Sequence, residues 1–386
     1  MDFRAMAEAV QPEVVAFRRD LHEHPEASFQ EFRTTEQIAK EMDKLGIPYR
    51  RFEPTGLIAE IKGGKPGKTI ALRADIDALS ITEKTGLPFA SKNDGFMHAC
   101  GHDTHAAMLV GAAKVLMQVK DQLCGTVKLL FQPAEEIGRG AKAVIQQHGL
   151  DGVDFIFGIH IGSQMDVGSV AMMAGASAAA ADRFTIKVIG KASHGARPES
   201  GIDATVAAAA LVMNLQPIVS REVAAATQLV VTVGSLHSGS RFNIVSGEAV
   251  LEGTIRSYDV DLHHQLPGIV ERVAKNTAAA YRCEAEVEYD MLTEVLVNDP
   301  DAIDLVRKAA GKVVSDPAQV LQAQPGMGGE DFSEYTVLAK AAFARLGAGG
   351  EYPNHSDYVV FDEDSFPTGV ALHCQVAWDF LNGENN

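Results

Sequence analysis

The chain has 386 residues, more than a single hydrophobic core usually serves, so two domains are expected. Hydrophobic residues make up 46% and charged residues 22%, which excludes a disordered chain. A net charge of −17 leaves no basic stripe to displace counterions and so excludes a nucleic-acid partner, while an anionic small molecule needs only a local Arg or Lys.

Residues 10–22 carry Val14, Phe17 and Leu21 on one helical face, and residues 34–45 repeat the pattern and stop at Gly46. Residues 57–61 and 69–73 read as strands. Residues 103–119 read as a helix, apolar at Leu109, Val110, Ala113, Leu116 and Met117. The continuous apolar runs 127–131 and 155–161 suit strands buried on both faces. Strands alternating with helices predict an α/β domain with a mostly parallel sheet.

The texture changes at 174–181, a small-residue stretch that reads as a crossover. Beyond it come strand 183–190, helix 203–219, strands 228–235 and 248–257, helix 261–281 and strand 284–289. That β-α-β-β-α-β order is the ferredoxin-like unit, self-contained enough to be an insertion. From about Leu296 the pattern returns to helix, glycine turn and strand. Residues 1–180 and 293–386 are therefore expected to form one catalytic domain, with 181–292 inserted as a second.

Cys100, Cys124, Cys283 and Cys374 are widely spaced and show no disulfide framework, which fits a reducing compartment. The first 23 residues lack the unbroken apolar centre of a signal peptide, and no run is long enough to span a bilayer. A cytoplasmic protein with no membrane partner is expected.

Several remote segments offer metal ligands. Cys100-Gly101-His102 opens a helix, and the glycine lets the backbone turn so that thiolate and imidazole aim at one point. Glu135-Glu136 follows a strand and Pro133, so one carboxylate can bind metal while the other moves a proton. His160 lies inside an apolar run and needs a partner if buried; His355 lies in a loop. Asp75 and Asp77 end the strand from Thr69, where period-two alternation puts them on one side, placed to orient metal-bound histidines. Each segment alone has a plainer reading: a buried Cys, an acidic loop, a core His, an exposed His. Together they form the inventory of a two-metal hydrolase. In the inserted segment His194, Asn243 and Arg256 supply an imidazole, a neutral donor and a guanidinium, a set suited to a carboxylate-bearing substrate.

These residues, with Arg19-Asp20-Leu21-His22-Glu23-His24-Pro25-Glu26, Arg73-Ala74-Asp75-Ile76-Asp77, Gln132-Pro133-Ala134-Glu135-Glu136, Ser193-His194-Gly195-Ala196-Arg197-Pro198 and Gly329-Glu330-Asp331-Phe332, run through nearly the whole chain. They resemble the two-metal aminoacylase and carboxypeptidase superfamily, in its amidohydrolase branch of hippurate hydrolases, N-acyl-amino-acid deacetylases and auxin-conjugate hydrolases. The resemblance implies a two-metal peptidase-like α/β domain with a ferredoxin-like lid. It implies that Cys100, His102, Glu136, His160 and His355 bind two divalent ions (Zn, Mn, Co or Ni), that Glu135 is the general base, and that His194 is the transition-state histidine, from its own or a partner subunit. The expected reaction is hydrolysis of N-acyl-L-amino acids, with Asn243 and Arg256 on the substrate carboxylate. A dipeptidase or aminopeptidase on the same scaffold is the alternative. The sheet edge of the lid suggests a homodimer.

Overall fold

The computed structural model describes residues 1–383 and divides into two units. The first comprises Met1–Ser177, Val297–Pro325 and the chain from Asp331; the second comprises Ala178–Leu296 and Gly326–Glu330. Residues 326–330, expected in the catalytic domain, join the second unit because Gly326 bridges to Ala178 and the Cα of Gly329 sits against Ala181 and Thr293.

In chain order the elements are α1 (Phe3–His22), α2 (Phe32–Leu45), β1 (Tyr49–Arg51), β2 (Leu57–Lys62), β3 (Lys65–Asp75), α3 (His102–Val119), β4 (Cys124–Gln132), α4 (Gly140–Gln146), β5 (Phe155–Gly162), β6 (Val170–Met172) and β7 (Gly175–Ala178). The next are β8 (Ala180–Ile189), β9 (Ser193–His194), α5 (Ala204–Pro217), β10 (Leu229–Ser238), β11 (Ile244–Val245), β12 (Glu248–Ser257), α6 (Val260–Ala280), β13 (Glu284–Thr293) and β14 (Leu296–Asn298). Then come α7 (Pro300–Val313), β15 (Val320–Gln322), α8 (Ser333–Thr336), β16 (Lys340–Gly347) and α9 (Phe366–Asn382).

The first unit is built on a sheet of order β1-β2-β4-β3-β5-β16-β6-β15. Its centre, β4-β3-β5-β16, is parallel; β1-β2, β2-β4 and β16-β6 are antiparallel pairs. The expected parallel sheet is thus a central block with antiparallel flanks. Helices α3 and α9 lie against the central strands. Helix α3 is buried nearly all round, as its apolar sequence requires of a helix packed on several sides. Helix α1 begins earlier than position 10 because Asp2 accepts a hydrogen bond from the Ala5 N–H (3.0 Å), and Pro12 is accommodated inside it.

The second unit is a four-stranded antiparallel sheet of order β10-β12-β8-β13. With α5 and α6 between the strands, its chain order is β-α-β-β-α-β. Phe184, Ile186 and Val188 of β8 are buried in one core with Ala207, Ala208 and Leu211 of α5 and Leu266, Val270 and Ala274 of α6. Their alternation with Arg183, Thr185 and Lys187 marks a sheet covered on one face. Among the described residues, no helix is long and apolar enough to cross a membrane.

Candidate metal centre

The ligand candidates lie at or beyond the carboxyl ends of the parallel block, where open α/β sheets gather their ligand-binding groups. Gly101 adopts φ +91°, and a Cβ there would lie 2.4 Å from Ile161 Cγ2. Only glycine fits, and its turn presents Cys100 and His102 together. Cys100 Sγ lies 3.2 Å from His160 Nε2 and 3.2 Å from His355 Nε2. His160 Nδ1–H donates to the Ile161 carbonyl (2.7 Å), so Nε2 is left with its lone pair toward the sulfur. His355 is held at φ +69° while its N–H donates to Ala99 O (2.9 Å). That backbone conformation is costly for a non-glycine residue and persists only where its surroundings impose it.

His102 Nδ1–H donates to Asp77 Oδ1 (3.1 Å). Its Nε2 lies 3.8 Å from Glu136 Oε1 and 3.9 Å from Glu135 Oε2. His102 Nε2 and Glu136 Oε1 are both buried and both lack a hydrogen-bond partner of good geometry. Two facing buried polar atoms without partners are expensive in a protein interior. A divalent cation fits them, because thiolate, imidazoles and carboxylate form a donor set for ions such as zinc.

The electrostatics of the bare site agree. Burial pushes the Cys100 thiol well up and the Glu136 carboxyl up to about 7. Burial pushes His160 and His355 down. For His102 burial also disfavours the charge, but Asp75 and Cys100 outweigh it and raise the imidazole. Anionic donors kept protonated in the bare protein gain most from a bound cation.

The loop bearing Glu135 and Glu136 is fixed from below. Ala134, at φ +55°, donates its N–H to Glu31 Oε1 (2.8 Å), and Glu31 Oε2 accepts from Thr55 Oγ1 (2.5 Å). Burial raises the Glu31 carboxyl to about 7. The Glu136 N–H donates to Asp77 Oδ2 (3.1 Å). Asp77 therefore orients both the His102 imidazole and the carboxylate loop. Asp75 does something different: it accepts from Arg73 (2.6 Å) and from His105 Nδ1–H, and lies 3.7 Å from His102 Nε2. Strand β3 stops at Asp75, so Asp77 reaches His102 from beyond the strand rather than by alternation along it.

The ligand candidates and Glu135 are gathered in the first unit. His194, Asn243 and Arg256 belong to the second. His194, exposed, pairs opposite Ile244 in the β9-β11 ribbon, and the Gly195 N–H donates to Asn243 O (2.8 Å). Arg256 is partly buried on β12, donating to Ile255 O (3.0 Å) and Thr254 Oγ1.

The description of peptidase family M20/M25/M40 matches residues 71–379. The chain belongs to this family. It is 41% identical to an N-acetyl-L-cysteine deacetylase of Bacillus subtilis over 92% of this chain and 85% of the relative. It is 40% identical to an N-acyl-L-amino acid amidohydrolase of Geobacillus stearothermophilus over 77% and 81% of the two chains. The crystal structure of the Bacillus subtilis YXEP protein, described as a dinuclear metal binding peptidase from the M20 family, superimposes with a TM-score of 0.85 at 35% identity, covering 97% of this chain and 99% of that one. The M20 assignment carries the mixed α/β fold and a metal-dependent amide hydrolase.

Several residues around this M20 centre drew no role from the sequence. Buried Arg73 donates to Asp75, to Gln132 Oε1 (2.9 Å) and to Asp331 Oδ1 (3.0 Å). Asp331 also accepts from Gln132 Nε2 (2.8 Å) and from the Ala141 N–H (2.9 Å), bracketing the loop that carries Glu135. His105 stands in a cluster with Asp75 and His102, but its Nε2 accepts the Ile161 N–H (2.8 Å), so both ring nitrogens are engaged within the protein. Asn354 bonds to Cys100 O, Ile161 O and Ser163 N–H. His22, from the N-terminal motif, and Arg18, just before it, both bond to Asp103 Oδ2 (2.7 and 2.8 Å) and pin α1 to the start of α3. Arg73, Gln132, Asp331 and His22 lie in the matching stretches without a role of their own, and Arg18, His105 and Asn354 are charged or amide side chains near a motif or a ligand candidate.

Proposed function

We propose that this M20 chain hydrolyses N-acyl-L-amino acids to a carboxylic acid and a free amino acid, using two divalent cations held by Cys100, His102, Glu136, His160 and His355. One observation carries the reading: Cys100 Sγ stands 3.2 Å from the imidazoles of both His160 and His355, which are 195 residues apart in sequence (355 − 160). When bound, the cations supply Lewis acidity toward water and toward the amide carbonyl. Glu135 takes the proton of the attacking water and returns it to the departing amine as the C–N bond breaks. Such assistance is worth ~100- to 10,000-fold in rate. In this reading Asp77 fixes the His102 tautomer, Arg256 and Asn243 hold the substrate carboxylate, and His194 steadies the developing oxyanion.

The thiolate and three imidazoles favour zinc, cobalt or nickel, with manganese a fourth candidate. The edge position of β10, with Val230 and Leu236 exposed, supports a homodimer through the second unit. Four free cysteines are consistent with a reducing, cytoplasmic setting.

The test is a panel of N-acetyl and N-benzoyl amino acids against free dipeptides on metal-reconstituted enzyme, with light scattering for the dimer. N-acyl substrates are expected to turn over faster, and Glu135→Gln to keep its metal and lose ~100-fold or more in rate. Preference for free dipeptides, or near-full activity in the variant, overturns the reading.

A further inference from the structure

A second group of metal-ligating side chains lies within the second unit and has no part in the chemistry above. His263 and His264 occupy the first turns of α6, which Asp259 caps by accepting from the Leu262 N–H (2.9 Å). Glu294 follows β13, two residues before the longer segment of the second unit ends at Leu296. Both imidazoles converge on one carboxylate oxygen. His263 Nδ1 lies 3.2 Å and His264 Nε2 3.4 Å from Glu294 Oε2. All three donor atoms lie within 4.8 Å of one another.

We infer that His263, His264 and Glu294 form a binding site for a zinc-like divalent cation, separate from the dinuclear centre. Tetrahedral sites with metal–ligand bonds of about 2.0–2.1 Å have ligand–ligand edges of about 3.3–3.4 Å. The two measured separations straddle that edge. The far side of His263 matches as well. Its Nε2 lies 2.9 Å from Asp182 Oδ1, and Asp182 Oδ2 accepts from Tyr289 OH (2.6 Å). A carboxylate on one ring nitrogen fixes the tautomer and leaves the other nitrogen as the ligand. His263 is buried and held, whereas His264 is 54% exposed and leaves the cluster open to an incoming ion. Zinc, nickel and copper suit two imidazoles and a carboxylate better than calcium or magnesium do. A bound ion would tie the segment after β13 to the start of α6.

Without a cation the same groups form an ion-paired network in which a protonated His263 bridges Asp182 and Glu294 while His264 pairs with the same Glu294 oxygen. The competing account is that this network takes up no metal. The full-length protein is loaded with zinc, passed through a desalting column and assayed for zinc per chain. His264→Ala is expected to carry one equivalent less than wild type. His148→Ala, which removes an exposed imidazole of the first unit, is expected to match wild type. Added zinc should raise the thermal midpoint of wild type more than that of His264→Ala, with equal helix content by circular dichroism before zinc is added. Equal zinc in wild type and His264→Ala, or an equal loss in the His148→Ala control, overturns the site. The readout is a difference between variants, so it holds whether or not the dinuclear reading survives.

Discussion

The Asn354 amide donates to the Cys100 carbonyl (3.2 Å) across 254 residues of sequence. The same NH2 group reaches Ile161 O (3.2 Å), while its oxygen accepts from the N–H (2.9 Å) and hydroxyl (2.8 Å) of Ser163. One side chain thus ties together the backbone segments that carry Cys100, His160 and His355. Asn354→Ala removes all of these ties without touching a proposed ligand. Metal affinity is expected to fall ~10- to 100-fold, the usual effect of losing a group that orients ligands. Titration of the apoprotein with a competing chelator measures it. Unchanged affinity would mean that the three segments hold their positions without Asn354.

The Arg73–Asp331 pair makes a stability prediction. Both side chains are buried, and Asp331 also holds Gln132 and the Ala141 N–H. Asp331→Asn keeps the shape and removes the charge facing a buried guanidinium. Arg73 retains Asp75 (2.6 Å), so the loss is partial. A cost of about 3 kcal/mol is expected, read from the urea midpoint of the metal-free protein. A cost below about 1 kcal/mol would show that Asp75 alone satisfies Arg73.

The fold was legible where the apolar pattern had one period. Strands β4 and β5 are continuous apolar runs because both faces are covered, and Gly46 ends α2 in the left-handed conformation at φ +65°. It was less legible at 174–181, where the Ala, Gly and Ser stretch forms β7 and the start of β8 rather than a bare crossover. Strand pairing there comes from backbone hydrogen bonds, which small side chains do not advertise. The ligand candidates could be read because Cys, His and Glu beside Gly or Pro at strand ends are unusual. Glu31 and Asp331 could not, because each acts on a partner far away in sequence: 103 residues for Glu31 and Ala134, 199 for Asp331 and Gln132.

Stability of the metal-free protein should depend on pH through His263. Burial lowers its affinity for a proton, but hydrogen bonds to Asp182 and Glu294 outweigh burial and raise the imidazole from 6.5 to about 9. The folded protein therefore holds this proton more tightly than the unfolded chain. The resulting stabilisation is complete below about 6.5, the unfolded value, and is lost as pH rises through about 9. Urea midpoints for wild type should fall between those limits, and His263→Phe should flatten that part of the profile. Parallel profiles for the two proteins would remove His263 as the cause.

Gly101 and Gly46 separate two effects of adding a methyl group. Both have positive φ, +91° and +65°, so alanine is strained at either. At Gly46 the new Cβ meets nothing within 4 Å, whereas at Gly101 it meets Ile161 Cγ2 at 2.4 Å and Phe361 at 3.0 Å. Gly46→Ala should therefore cost ~1–2 kcal/mol, the strain of the backbone alone, and leave metal content and turnover intact. Gly101→Ala adds a steric clash worth roughly a further 1–3 kcal/mol. The clash lies between the residues that place Cys100 and His102. Relief of it must displace the thiol, the imidazole or β5 beneath them, so the variant should fold but bind less metal and lose most of its turnover. Thermal midpoint, metal content and N-acyl-amino-acid hydrolysis for the two variants measure the contrast. Equal losses of metal at Gly46 and Gly101 would assign the effect to backbone strain and not to the close packing of Gly101 between the ligand candidates Cys100 and His102.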